Sequence, residues 1–273
     1  MNISADYHLH TNFSSDSTTP MESMILSGIA RGLKTMCFTE HMDYDYPVPP
    51  DNPSLNFLVD TDAYHAKVKE LAEKYAGKCE ILFGIELGVQ PHLYDDLKKL
   101  TTFYPFDFVI GSTHLIDGVD PYFPEFFEGR GEKAAYERYF EHCVENIRAF
   151  PELDSFAHLD YIVRYGPNQN KYYSYKEYSD YIDEILKLLI YNGIALEVNT
   201  GSFKYGLNVT NPNLDIIKAY HKMGGELITV GSDAHVPEFV ANKFDLVAEL
   251  LGQAGFKYYT EFKERKATFV KLT

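Results

Sequence analysis

Nine imidazole and carboxylate side chains in this 273-residue chain stand where they could bind metal ions together. They are His8 and His10 in His8-Leu9-His10, Asp16 six residues on, His41 in Glu40-His41, Glu86 in Gly-Ile-Glu-Leu-Gly, His114 in Gly-Ser-Thr-His, His158 in Ala-His-Leu-Asp160, and Asp233 and His235 in Gly-Ser-Asp-Ala-His. On an extended segment His-x-His sends both rings to one side, because side chains alternate with period two, and Asp233-x-His235 does the same. Taken singly, a His or Asp at a strand end is more often a hydrogen-bonded structural group than a ligand. Six of the ten histidines at such places is harder to explain that way. The other four, His65, His92, His142 and His221, fall in helices or loops and are read as solvated surface. Nine donors exceed a single site of about four to six ligands, so two or three ions are implied. Imidazole and carboxylate without thiolate suit Zn, Mn or Fe better than Ca or Mg.

The elements that must position these groups alternate from end to end. Short apolar or β-branched runs at Asn2–Tyr7, Thr35–Thr39, Glu80–Ile85, Phe106–Gly111, Ser155–Ala157, Ile194–Val198 and Leu227–Gly231 predict strands. Amphipathic stretches between most of them predict helices. The first runs to about Gly32, with Thr19 as cap, Pro20 in the first turn and Glu22 completing a capping box. The others cover about Asp62–Tyr75, Glu132–Ala149, Tyr175–Tyr191, Asn213–Met223 and Val240–Gln253. The tail, Phe256–Leu272, alternates like a hairpin about Lys263–Lys266. Some seven βα units imply a parallel sheet closed into a barrel, and no linker divides the chain, so 1–273 is read as one domain. Every candidate ligand then follows a strand, at the barrel mouth where active sites form. Two long loops, Met42–Asp60 with Pro47, Pro49, Pro50 and Pro53, and Leu115–Gly131, are long enough to be functional.

Composition limits the partners. Forty acidic against 25 basic residues give a net charge of −15, which argues against nucleic acid and anionic membrane as partners. A phosphate would need positive charge from elsewhere. Three divalent ions among three carboxylates leave a surplus that a phosphate monoester dianion and one hydroxide would neutralise. Cys37, Cys79 and Cys143 are far apart and odd in number, there is no signal-peptide pattern, and no run of 18 apolar residues occurs, so a cytoplasmic protein is expected.

Taken in order, HLHTNFSSD (8–16), FTEHMD (38–43), GIELG (84–88), GSTH (111–114), AHLD (157–160), EVNTGSFK (197–204) and GSDAH (231–235) resemble the PHP (polymerase and histidinol phosphatase) superfamily, and within it the histidinol-phosphate phosphatases. The resemblance spans nearly the whole chain. It implies an α/β fold, a distorted seven-stranded (β/α) barrel of TIM-like form, with a trinuclear centre. Carried over position by position, one ion would take His8, His10, Glu86 and Asp233. A second would share Glu86 and take His114 and His158, and a third would take Asp16, His41 and His235. Many relatives carry His where this chain has Asp16, whereas Asp is similar to the histidinol-phosphate branch.

The implied reaction is hydrolysis of a small phosphomonoester, L-histidinol phosphate, by a hydroxide held between metal ions, as a step of histidine biosynthesis. Asp233 would also handle a proton. Arg164 and Lys204 are candidates for the phosphate, although relatives often carry Arg at the latter position, and Asn199 is a further substrate-side or orienting residue. Aromatics (Tyr44, Tyr46, Tyr122, Phe123, Tyr161, Tyr165) and acids (Asp43, Asp117, Asp120, Glu125, Glu128) near the mouth suit a flat cationic head. The alternative is another PHP phosphoesterase acting on tyrosyl, nucleotide or sugar phosphates. An exonuclease would need a basic channel that −15 does not favour, and a non-catalytic barrel would ordinarily have lost ligands. Oligomeric state is not legible.

Overall fold

The structure, a computed structural model, describes residues 3–48, 52 and 55–272. Asn2 of the first expected strand and Pro49, Pro50 and Pro53 of the long loop lie outside the described residues. Parallel strands β1 (Ala5–Asp6), β2 (Thr35–Phe38), β3 (His41–Met42), β4 (Glu80–Gly88), β5 (Phe108–Ser112), β6 (Ser155–Phe156), β7 (Ala195–Asn199) and β8 (Ile228–Gly231) form one sheet. Its order is β1-β2-β4-β5-β6-β7-β8, and β3 also pairs with β4 after a two-residue break from β2. The ends meet: Tyr7 N–H donates to the Val230 carbonyl at 3.0 Å and Asp233 N–H to the His8 carbonyl at 2.8 Å. The result is the expected seven-staved barrel. Strands buried on both faces need no polar alternation, and eight of the nine residues of β4 are buried accordingly.

Helices α1 (Met21–Ala30), α2 (Thr61–Lys74), α3 (Tyr94–Phe103), α4 (Glu132–Ala149), α5 (Ser179–Asn192), α6 (Leu214–Lys222) and α7 (Phe244–Ala254) accompany the strands. Asp60 caps α2 by accepting Ala63 N–H, and Gly193 ends α5 in the left-handed region at φ 68°, which a residue without Cβ adopts freely. The capping box expected at α1 does not form. Pro20 is the cap residue, the Thr19 hydroxyl donates instead to the His235 carbonyl at 2.8 Å, and Glu22 pairs with Lys74 and Tyr75. Thr19 thus ties the first helix to the loop that carries His235. Helix α3 was not expected, since Leu97 and Leu100 are its only buried residues. No helix among the described residues is long and apolar enough to cross a membrane.

The expected tail hairpin is present as β9 (Tyr258–Lys263) and β10 (Lys266–Lys271), and it plugs the barrel floor. Glu264 and Arg265 both have positive φ, as a two-residue turn of this hand requires. Neither is a residue that favours it, so the turn is held from outside. Arg265 pairs with Asp154 and donates to the Glu152 carbonyl, while Asp107 accepts both turn amides. Inside the floor, buried Tyr7 packs on Phe108, which packs on Phe262, with centroids 5.1 and 5.4 Å apart. The Tyr7 hydroxyl donates to the Phe262 carbonyl at 2.8 Å and accepts its N–H at 2.9 Å. Tyr7→Phe strips both partners from a buried peptide group and is expected to lower the unfolding free energy by about 2–4 kcal/mol in urea titrations. A loss below about 0.5 kcal/mol contradicts this anchoring.

Candidate metal centre

Each strand of the barrel ends by delivering a polar group to the mouth. β4 brings Glu86 to the centre, and the other eight expected ligands surround it. Glu86 Oε2 lies 3.2 Å from His8 Nε2, 3.4 Å from His10 Nε2 and 3.0 Å from His41 Nδ1. Its Oε1 lies 3.4 Å from His114 Nε2 and 3.2 Å from His158 Nε2. Asp233 Oδ1 is 4.0 Å from His8 Nε2 and 3.8 Å from His10 Nε2, while Asp16 Oδ2 is 2.9 Å from His235 Nε2 and 3.6 Å from His41 Nε2. The six imidazoles form a contiguous set, with His10 stacked on both His41 and His235 at 4.2 and 4.3 Å. The remaining histidines lie apart. His65 stacks on Phe83, His92 and His142 bond Asp45 and Asp117, and His221 packs on Phe256.

Four overlapping sets of three place their donor atoms within 4.8 Å of one another: His8, His10 and Asp233; His8, Glu86 and His158; His41, Glu86 and His114; and His10, His41 and His235. Among the described residues, His8 Nε2, His10 Nε2, His41 Nδ1 and Glu86 Oε2 are buried in the cluster without a hydrogen-bond partner. Leaving such atoms unmatched costs about 1–3 kcal/mol each, and a cation coordinated by them removes that cost. The donor set therefore fits metal ions.

The electrostatics point the same way. Burial works against charge on Asp16, Glu86 and Asp233, but the surrounding basic groups outweigh it: His41 and His235 at Asp16, His8 and His41 at Glu86, Lys204 and Arg164 at Asp233. All three carboxyls are held below the ordinary range. Burial also depresses the imidazoles, and carboxylates reverse this at His8 (Glu197, Glu86) and His41 (Glu86, Asp16). His114 is pushed up to about 10, as Asp43 and Glu86 outweigh its burial. At His10 and His158 burial prevails, and both are lowered. The carboxylates thus set up a negative potential that draws positive charge to the imidazoles, and a metal ion held there would take the place of the proton.

Outer groups fix these rings. Glu197 Oε1 is 2.7 Å from His8 Nδ1, and its Oε2 accepts His158 N–H at 2.9 Å and Asn199 Nδ2 at 3.0 Å. Asp43 Oδ1 is 2.7 Å from His114 Nδ1. The Thr11 and Ser14 hydroxyls both donate to buried Glu40, anchoring the segment between His10 and Asp16. Sequence reasoning gave Glu197 and Asp43 no bracing role. Period two offered a signal, since Glu197-x-Asn199 and His41-x-Asp43 each share a face. Gly88 and Gly231 leave room for these braces: a Cβ there would lie 2.1 Å from Asp43 Oδ1 and 2.3 Å from Glu197 Oε1. His158 and Asp233 have φ of 23° and 54°, so the backbone is strained at two of the nine positions.

Arg164, in the single-turn helix after β6, is buried and fixed from three sides. Its Nη1 donates to Asp233 Oδ2, Nη2 to Asn199 Oδ1 and Nε to Asn211 Oδ1, at 2.9, 2.8 and 2.9 Å. Lys204 donates from Nζ to the Asp233 carbonyl at 2.6 Å. Both line a cavity of about 530 Å³ over the cluster, together with Tyr161, Tyr165 and Tyr205. Asn199 is buried beneath Arg164 and braces it.

A parallel barrel with such a cluster at its mouth is the architecture of metal-dependent barrel hydrolases. The chain belongs to the PHP domain family, which it matches over residues 6–201, and groups within it with the histidinol-phosphatases. It is 35% identical over 239 residues to a probable histidinol-phosphatase of Clostridium acetobutylicum, covering 88% of this chain and 89% of the relative. It is 30% identical over 262 residues to the histidinol-phosphatase of Lactococcus lactis, covering 96% and 95%. The crystal structure of histidinol phosphate phosphatase from Lactococcus lactis in complex with Zn, L-histidinol and phosphate superposes with a TM-score of 0.87 at 29% identity, covering 97% of this chain and 98% of that one.

Since Glu197 orients the His8 ring and holds the backbone amide of His158, Glu197→Gln is expected to weaken zinc binding about 10- to 100-fold, read by competition with a chromogenic chelator. Unchanged affinity in a folded variant contradicts the bracing role.

Proposed function

We propose that this protein is a metal-dependent phosphomonoesterase that hydrolyses L-histidinol phosphate to L-histidinol and phosphate. The observation that carries the reading is the pairing, in one cavity, of the Glu86-centred cluster with the Arg164–Lys204 wall. The complex of the Lactococcus relative with Zn, L-histidinol and phosphate supports it. Three divalent ions, Zn, Mn or Fe, fit the nine donors, held by His8, His10, Glu86 and Asp233; by Glu86, His114 and His158; and by Asp16, His41 and His235. When bound, the ions supply Lewis acidity toward phosphoryl oxygens and acidify water near neutral pH.

The chain's own residues do the rest. Three of the five guanidinium N–H groups of Arg164 are engaged, which leaves two for phosphate oxygens. Because Asp233, Asn199 and Asn211 hold Arg164 before substrate arrives, little reorganisation is needed as charge shifts toward the equatorial oxygens. Lys204, fixed against the Asp233 carbonyl, adds a second positive charge from the same side. Asp233 acts first as a ligand. Kept ionised by its neighbours, it takes a proton only in passing between the attacking water and the departing alcohol. Tyr161, Tyr165 and Tyr205 limit water around the phosphate.

We read residues 1–273 as one functional unit, since the tail hairpin closes the floor below the site. The buried thiols Cys37, Cys79 and Cys143 suit a reducing, cytoplasmic setting.

The test is phosphate release from L-histidinol phosphate beside sugar, nucleotide and tyrosyl phosphates, with Zn, Mn or Fe supplied to chelator-stripped protein. The expected result is a preference of at least about 100-fold in kcat/KM for L-histidinol phosphate. A higher value for any other member would hand the substrate assignment to that class. Arg164→Ala is expected to lower kcat/KM about 100- to 1,000-fold, and a fall below 3-fold contradicts its phosphate role.

A further inference from the structure

Five carboxylates line the cavity at the barrel mouth: Asp16, Asp43, Glu86, Asp120 and Asp233. Four of them belong to the cluster: Asp16, Glu86 and Asp233 are among the nine donors, Asp43 braces His114 at 2.7 Å, and Asp233 also pairs with Arg164. Asp120 is the exception, for among the described residues it forms no salt bridge. It is nonetheless only 5% exposed. A buried carboxylate is costly without a positive partner, and neutral donors meet that cost only in part.

Its partners are neutral. Oδ1 accepts Tyr122 N–H at 2.8 Å and the Tyr161 hydroxyl at 3.2 Å, and Oδ2 accepts the Tyr46 hydroxyl at 2.9 Å. A carboxylate offers about four acceptor positions, and among the described residues Oδ2 meets only the Tyr46 hydroxyl. The walls beside it are the rings of Tyr46, Phe57, Tyr122 and Phe123. Tyr161 joins this end of the cavity to the other: its hydroxyl meets Asp120, and its ring lies 5.4 Å from the Arg164 guanidinium carbon. The cavity is therefore polarised, with Arg164 and Lys204 at one end and an unmatched carboxylate in an aromatic frame at the other.

We infer that Asp120 is the specificity-determining residue of this cavity, accepting a hydrogen bond from a positively charged nitrogen in the alcohol portion of the substrate while the phosphate sits at the Arg164 end. The inference rests on the proposed phosphatase reading and adds to it the group that selects the leaving alcohol. Other acids near the mouth do not compete for this role. Asp117 is bound to Arg138, Arg130 and His142, and Glu125 and Glu128 are exposed and outside the cavity.

The test compares wild type with Asp120→Asn, which keeps the shape and removes the charge. Three substrates are used: L-histidinol phosphate, O-phosphoethanolamine with an ammonium and no ring, and p-nitrophenyl phosphate with no cation. A charge-assisted hydrogen bond of ordinary strength predicts that the ratio of kcat/KM for L-histidinol phosphate to that for p-nitrophenyl phosphate falls about 10- to 100-fold, mainly through KM. Asp120→Glu should recover part of the ratio. If the phosphoethanolamine ratio falls alongside, the ammonium is the partner; if it holds, the imidazole is. A ratio unchanged within 3-fold, or equal losses on all substrates, overturns the assignment of Asp120 and leaves the phosphatase reading standing. Wild type that shows no preference for L-histidinol phosphate removes the reading beneath and the inference with it.

Discussion

Glu86 brings a carboxylate to the centre of a barrel from which water is excluded, and the surrounding residues are those needed to keep it ionised there. An isolated buried carboxylate would protonate rather than bear the desolvation cost. Here five imidazoles approach its two oxygens, and Ser112 donates a further hydrogen bond. Those rings come from three parts of the chain besides the strand of His8 and His10, so a residue on β4 is satisfied only when the barrel has closed. Closure and site assembly are one event: among the backbone bonds that close the barrel, Asp233 N–H donates to the His8 carbonyl and His10 N–H to the Ala234 carbonyl.

The same constraint propagates outward. Imidazoles that must aim one nitrogen inward need the other held, and Glu197 and Asp43 do that at His8 and His114. Those braces are themselves buried acids, so they sit against glycines, where backbone can come close. Arg164 follows the same logic at the cavity wall, matched by Asp233 and two asparagine amides before any substrate arrives. Strain at His158 and Asp233 is tolerated because several bonds fix each residue.

Much of this was legible because a parallel barrel puts chemistry at one place in the sequence pattern, directly after a buried apolar run. That is why His8, His10, Glu86, His114, His158 and Asp233 could be picked out together, and why the hairpin tail showed through its alternation. What escaped depends on distant partners. The His114–Asp43 contact joins residues 71 apart, and no spacing rule reaches that far. Thr19 looked like a helix cap because local pattern takes no account of His235, more than two hundred residues away, whose carbonyl claims its hydroxyl. The short strand β3 was hidden by the break at Thr39-Glu40, and α3 by a sparse apolar stripe. Asp120 was one acid among several near the mouth. Its burial in the cavity, without an ion pair among the described residues, sets it apart.

Anomalous diffraction from crystals of zinc-reconstituted protein asks directly whether the Glu86 cluster holds metal ions as a group. Three anomalous maxima are expected at the mouth, two of them flanking Glu86 and the third against Asp16, His41 and His235. A single maximum, or none, within reach of these side chains would contradict this assignment.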